Sequence, residues 1–245
     1  MSRWTAAPTA SVSDPPLYKR AKSGRDLGIV GSVSEALCPL DETKEASCLN
    51  MGQQTVNFRR MDEGSAADYA LLASCEDDYA AGLADRLLAA LEDLQHSLGG
   101  FRIDRLQHSL QSATRAEADC ADIEMIVGAL IHDLGDDLAP HNHSQLAACI
   151  IRPYVRAEVT WVIEHHGIFQ LYYFGDADGV NKNERDRYAG HKWFDSCDNF
   201  CGRWDQMSFD PEYPTKPLSH FEPMLREVFS RSPFDPAIIG ESAAA

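Results

Sequence analysis

At 245 residues, 44% of them hydrophobic and 24% charged, the chain is long enough to bury the core of one domain. Its formal net charge of −16 falls on residues 51–245, because the first fifty residues carry six Lys/Arg and six Asp/Glu. A phosphate backbone is held by clustered Lys and Arg, and none follow in that acidic stretch, so nucleic acid is disfavoured as a partner and a small molecule or a metal fits better. No apolar run reaches bilayer length and no secretory signal pattern opens the sequence, so no membrane association is expected and the expected location is cytoplasmic. The seven cysteines form no CxxC pair. They read as reduced packing thiols, with Cys197 and Cys201 spaced to share one helix face.

Residues 1–55 are rich in Ser, Ala, Pro and Gly, show no sustained apolar period, and read as a disordered extension with a small basic patch at Lys19, Arg20, Lys22 and Arg25. Residues 56–235 read as the folded domain and 236–245 as a flexible tail. From Ser65 the pattern turns helical, through Tyr69, Leu72, Leu83, Leu87 and Leu91, until Gly99 and Gly100 end it. The next helix spans about Asp104 to Ala118 and carries His108 beside the stripe of Leu106, Leu110 and Ala113. Another runs from about Asp122 to Leu134 and stops at Gly135, the expected C-terminal breaker. A helix begins after His141-Asn142, one follows Pro153 through His166, and a long one is expected over Glu184 to Met207. Almost nothing alternates with period two, so the fold class is all-α.

The densest chemical signal is Ile131-His132-Asp133-Leu134-Gly135. Adjacent helical residues point about 100° apart, so both can reach one metal only near a helix end, where this pair lies, and a carboxylate there can bridge two metals. His108 lies on the preceding helix, His143 opens the next, and Glu164-His165-His166-Gly167 closes the one after. Asp205 stands in an aromatic segment after Trp204, where an unpaired carboxylate would be costly unless it met a cation.

The series His108, His132, Asp133, His143, His166, Asp205 resembles the HD superfamily pattern in its dimetal form, over roughly residues 60–232. The stretches LQHSLQSATRAEADCADIEMIVGALIHDLGDDLAPHNHSQLAA, HHGIFQLYYF and FCGRWDQMSFD are similar to the mixed-valent di-iron organophosphonate oxygenases, relatives of myo-inositol oxygenase. That resemblance implies an HD-domain helical bundle around a dimetal centre. It implies two iron ions, Fe(II)/Fe(III), one held by His108, His132, Asp133 and Asp205 and the other by His143, His166 and the shared Asp133. It implies oxidative cleavage of the carbon–phosphorus bond of a small hydroxylated aminoalkyl- or trimethylaminoalkylphosphonate, with dioxygen as co-substrate. His165 competes with His166 as ligand. His166 is preferred because the turn into Gly167 follows it, which leaves His165 to orient a ligand or bind substrate. Gln107, Asp136 and Glu164 are candidate acceptors for the ligand imidazoles, and Asp136 is a candidate catalytic group.

Two positions depart from the oxygenase pattern: Gln170 stands where relatives carry Lys, and Phe101 where some carry a carboxylate. Lys182, Arg185 and Arg187 are candidate anion-binding replacements, or simply a solvated loop. Phe169, Tyr172, Tyr173 and Phe174, with Asp136 and Asp137, are candidates for a cage around a quaternary ammonium group, or else a hydrophobic plug. The rival function is an HD phosphohydrolase acting on a nucleotide or other phosphoester with Mn or Zn, and a binding module without activity is the third reading.

Overall fold

The computed structural model describes residues 55–240, and the sequence reading of residues 1–54 as an extension lies outside them. Two compact units divide between Tyr79 and Ala80. In the first, a 3-10 turn at Met61–Glu63 precedes helix α1, Ala66–Ala81, all but the last two residues of which belong to this unit; its start is closed by a reciprocal pair, in which Asp68 accepts from the Ser65 amide at 2.9 Å and its own amide donates to the Ser65 hydroxyl at 3.2 Å. α1 buries no residue.

The second unit is entirely helical and has no strand among the described residues. Its helices are α2 (Leu83–Asp93), α3 (Arg105–Ala118), α4 (Ile123–Ile131), α5 (His143–Ile151), α6 (Ala157–Asp178), α7 (Phe194–Asn199), α8 (Leu218–Phe229) and the short α9 (Pro236–Ile239). α3 and α4 begin where Asp104 and Asp122 accept hydrogen bonds from the amides of Gln107 and Met125, so each helix start is fixed by an aspartate cap. α4 is the central element, with every residue from Met125 to Ile131 buried. Around it pack α3, α6 and α8, joined by Leu91, Leu110, Ile163, Phe169, Phe221 and Leu225 in one apolar core. At some 25 cal/mol per Å² of apolar surface this burial is what overcomes chain entropy. A charged clamp pins the start of α4 to the start of α6: the Arg156 amide and guanidinium donate to Glu124 at 2.9 and 3.2 Å, and Arg231 holds the other Glu124 oxygen at 2.6 Å.

Five sequence expectations change. The first helical run breaks at Gly82 into α1 and α2. α6 does not stop near His166 but continues to Asp178 and ends at Gly179 in the left-handed region, φ 73°. The expected long helix over Glu184 to Met207 is three pieces: a 3-10 turn at Glu184–Tyr188, then α7, then a π turn at Phe200–Asp205, with Gly190 at φ 90° interrupting them. The 236–245 stretch, read as a tail, starts with α9, because Pro236 sits at its first turn and Asp235 caps the Ala237 amide. Of the described cysteines only Cys197 and Cys201 are buried, so packing is the role of those two alone. No described helix is long and apolar enough to cross a membrane.

Candidate metal centre

Six side chains converge at one end of α4. His108 comes from the second turn of α3, His132 and Asp133 from the residues just after α4, and His143 from the first position of α5. His166 comes from the middle of α6, and Asp205 from the last position of the π turn. π turns re-aim a side chain that a regular helix would carry elsewhere, and here the Asp205 carboxylate meets α3 and α4.

The close approach has a backbone cause at Gly135. A Cβ there would lie 2.7 Å from the His143 carbonyl oxygen and 2.8 Å from its Cα, so only glycine lets the end of α4 touch the start of α5. Its φ is not positive, so Gly135 serves approach and not the left-handed cap expected of it. Gly167 is similar: a Cβ would lie 2.8 Å from the Ser144 hydroxyl, so glycine lets α6 lie close to α5 there.

Three imidazoles give their Nδ1 to main-chain carbonyls, His108 to Ser208 at 2.8 Å, His132 to Ala129 at 2.8 Å and His166 to Ile163 at 2.7 Å. A carbonyl only accepts, so each Nδ1 carries a proton and Nε2 is the nitrogen turned to the centre, free to ligate once any proton on it leaves. The fourth, His143, has its Nδ1 3.5 Å from Asp136. Of the acceptors expected from sequence, Asp136 takes that position. Gln107 and Glu164 do not, because backbone oxygens fill it.

Asp133 is divided between two pairs of rings. Its Oδ2 lies 3.2 Å from His108 Nε2 and 3.1 Å from His132 Nε2, whereas Oδ1 lies 3.4 Å from both His143 Nε2 and His166 Nε2. Asp205 Oδ1 joins the first pair, at 3.2 Å from His108 and 3.6 Å from His132. Its Oδ2 is buried with no hydrogen-bond partner, and the His108 and His132 Nε2 atoms stand 3.1 Å apart. Two ring nitrogens at that distance, beside an orphaned buried carboxylate oxygen, share a cation, a proton in the metal-free protein or a metal ion in its place. These residues fit a metal: His108, His132 and Asp205 form one group able to hold an ion, His132, Asp133 and His166 a second, and Asp133, Asp136 and His143 a third. Imidazole and carboxylate donors suit iron, manganese or zinc.

The same geometry shapes the electrostatics. Burial opposes charge on His132, but the neighbouring Asp133 and Asp205 carboxylates prevail and push its pKa up to about 10. Burial would raise Asp133 and Asp205, yet the facing histidines, with Arg105 for Asp133, hold both below the ordinary carboxylate range. His143 is lowered, chiefly by burial.

The other expected site residues scatter. His165 belongs to none of these metal-holding groups; its ring stacks on Trp161 at 4.3 Å and its Nδ1 bonds the Trp161 carbonyl. Phe169 is fully buried against Trp161 and Phe194, so it is core and no part of a cage. Tyr172, Tyr173 and Phe174 are 40–45% exposed, which contradicts a buried plug. The face of Tyr172 already carries a cation, the Arg185 guanidinium 3.6 Å away, and Arg185 is ion-paired with Asp198. Lys182, just after α6, pairs with exposed Asp176 in the last turn of that helix, and Gln170 has a buried Oε1 without a partner. Asp137 accepts from the Ser97 hydroxyl, outside the centre. Phe101 is half exposed and lines a cleft of about 700 Å³, while its ring sits 5.1 Å from Phe209, which stacks on His108 at 4.4 Å. Sequence reasoning missed Arg105, Ser208 and Phe209. The adjacency of Arg105 to the Asp104 cap, one helical turn from His108, was the only available signal for the first.

Residues 105–198 match the HD domain family. No curated protein matches the chain. The matched stretch, less than half of the chain, contains His108, His132, Asp133, His143 and His166, so this region is similar to an HD domain, and its clustered His and Asp residues could hold metal.

Proposed function

We propose that this HD domain is a di-iron oxygenase that cleaves the carbon–phosphorus bond of a small hydroxylated, amino- or trimethylamino-substituted alkylphosphonate. The observation that carries the two-metal part is the division of Asp133, one carboxylate oxygen facing His108 and His132 and the other facing His143 and His166. One ion would be held by His108, His132, Asp205 and Asp133, the second by His143, His166 and the same Asp133. Supporting the oxygenase reading is the resemblance in the segments around these ligands. Bound iron would supply dioxygen activation and Lewis acidity.

The chain's own groups then have distinct tasks. His108, His132 and His166 are locked in the Nε2-presenting tautomer by backbone carbonyls, so no reorganisation is needed at the moment of reaction. Phe200 stands edge-on to His132, and Phe209 covers His108, which excludes water from that half. The His143 side chain is 26% exposed where those of His108, His132 and His166 are at most 2% exposed, so substrate enters from the His143 side. Asp136, near His143 Nδ1 at that entrance, is placed to orient this ligand or to accept a proton from a substrate hydroxyl.

The test is oxygen uptake. Anaerobically purified protein reconstituted with ferrous iron should consume dioxygen and release inorganic phosphate from 1-hydroxy-2-(trimethylammonio)ethylphosphonate or its amino analogue. No uptake with any hydroxyphosphonate, together with phosphoester hydrolysis in Mn(II), overturns the reading in favour of a phosphohydrolase.

A further inference from the structure

Arg105 is the first residue of α3 and only 8% exposed. Buried arginine is rare unless its charge is met, and here it is met twice. Nη2 donates to Asp133 Oδ2, the oxygen that also faces His108 and His132, and Nε donates to Asp136 Oδ2 at 2.7 Å. The other Asp136 oxygen lies 3.5 Å from His143 Nδ1. One planar guanidinium therefore reaches both halves of the centre, the first directly through the shared carboxylate and the second through Asp136 and His143. A carboxylate oxygen has two lone pairs, so Asp133 Oδ2 can accept from Arg105 on one and serve a metal with the other. Asp133, Asp136 and Asp205 bring three carboxylates close together in a volume almost without water. Among the described residues, Arg105 is the one Lys or Arg paired with this group.

We propose that Arg105 is the positioning residue of the centre. Its forked donors set the orientation of Asp133 and, through Asp136, of His143. Its charge lets the buried carboxylates fold together before any metal is taken up. The orientation part rests on the two-metal reading above; the charge part does not. Lysine is not equivalent here, because it offers a point charge without the two-branched geometry.

The experiment is thermal unfolding of the full chain as wild type, Arg105→Met and Arg105→Lys, each stripped by chelator and each saturated with Mn(II), with Mn(II) affinity measured alongside by calorimetry. Stripped Arg105→Met should melt about 10 °C below stripped wild type, since it removes the guanidinium that meets Asp133 and Asp136 and leaves the histidines alone to offset the buried carboxylates. Mn(II) should cut that deficit to about half or less, because the ion replaces the lost charge. Arg105→Lys should recover most of the stripped stability while binding Mn(II) about tenfold more weakly or worse. An equal deficit with and without Mn(II), or a stripped Arg105→Met protein that melts with stripped wild type, overturns the inference, as does a lysine variant with wild-type Mn(II) affinity. If Arg105→Met does not fold when stripped, refolding on Mn(II) addition supports the proposal and failure to refold overturns it. A wild type that gains nothing from Mn(II) overturns the two-metal reading and the orientation part with it; the charge part is then decided by the stripped proteins alone.

Discussion

The two halves of α6 differ in how they treat their polar and aromatic side chains. The N-terminal half presents His166, 2% exposed, against the shared carboxylate, with its tautomer fixed by the chain. The C-terminal half presents Tyr172, Tyr173 and Phe174 to solvent, with Arg185 lying on Tyr172 and paired to Asp198. In the first half the contacts of His166 constrain a ligand atom, so substituting that residue changes chemistry. In the second, aromatic faces and charges satisfy one another at the surface, where ion pairs are worth about 0–1 kcal/mol.

Phe169 lies between these halves and offers the largest effect. Phe169→Ala should destabilise the protein by about 3–5 kcal/mol in denaturant unfolding, since it empties a fully buried position among Trp161, Tyr188 and Phe194. A cost below about 1 kcal/mol would place Phe169 in a substrate cage after all. Gly135→Ala comes next: the added methyl meets the His143 backbone, and a loss of about 1–3 kcal/mol, accompanied by weaker metal binding, is expected. Unchanged metal affinity would show that the α4 and α5 contact does not set the site.

A pH series is the third test. In chelator-stripped protein His132 has a folded pKa of about 10, above its unfolded value, so the stability it contributes is fully present below about pH 6.5 and is lost as pH rises through about 10. Metal must displace that proton, so apparent Mn(II) affinity should rise with pH between about 7 and 10, by up to tenfold per unit for each proton released. A pH-independent affinity contradicts a protonated His132. Lys182→Ala is the smallest case, with an expected change within about 0.5 kcal/mol and intact metal content, because its partner Asp176 is exposed. A substantial rise in substrate KM would instead restore Lys182 as an anion receptor.

The same contrast explains what could be read from the sequence. The helices were legible in part from apolar spacing and glycine breaks, and the His and Asp series from its order along them. The partners of the imidazoles were not, because three are main-chain carbonyls, which carry no residue signature. Arg105 looks in sequence like any charge at a helix start; only the fold shows that its helix begins against Asp133 and Asp136. Gly135 and Gly167 read as terminators, although the space they free is filled by His143 and Ser144. The aromatic run after His166 misled because α6 continues through it, which sends Phe169 inward and Tyr172, Tyr173 and Phe174 toward solvent.

The central claim is that one carboxylate, Asp133, serves two metal positions. Elemental analysis of anaerobically purified protein, wild type against Asp133→Ala, tests it most directly, with circular dichroism to establish that the variant is folded. Wild type should carry about two metal ions per chain and the folded variant close to none. A folded Asp133→Ala protein that keeps its full complement would contradict the shared role.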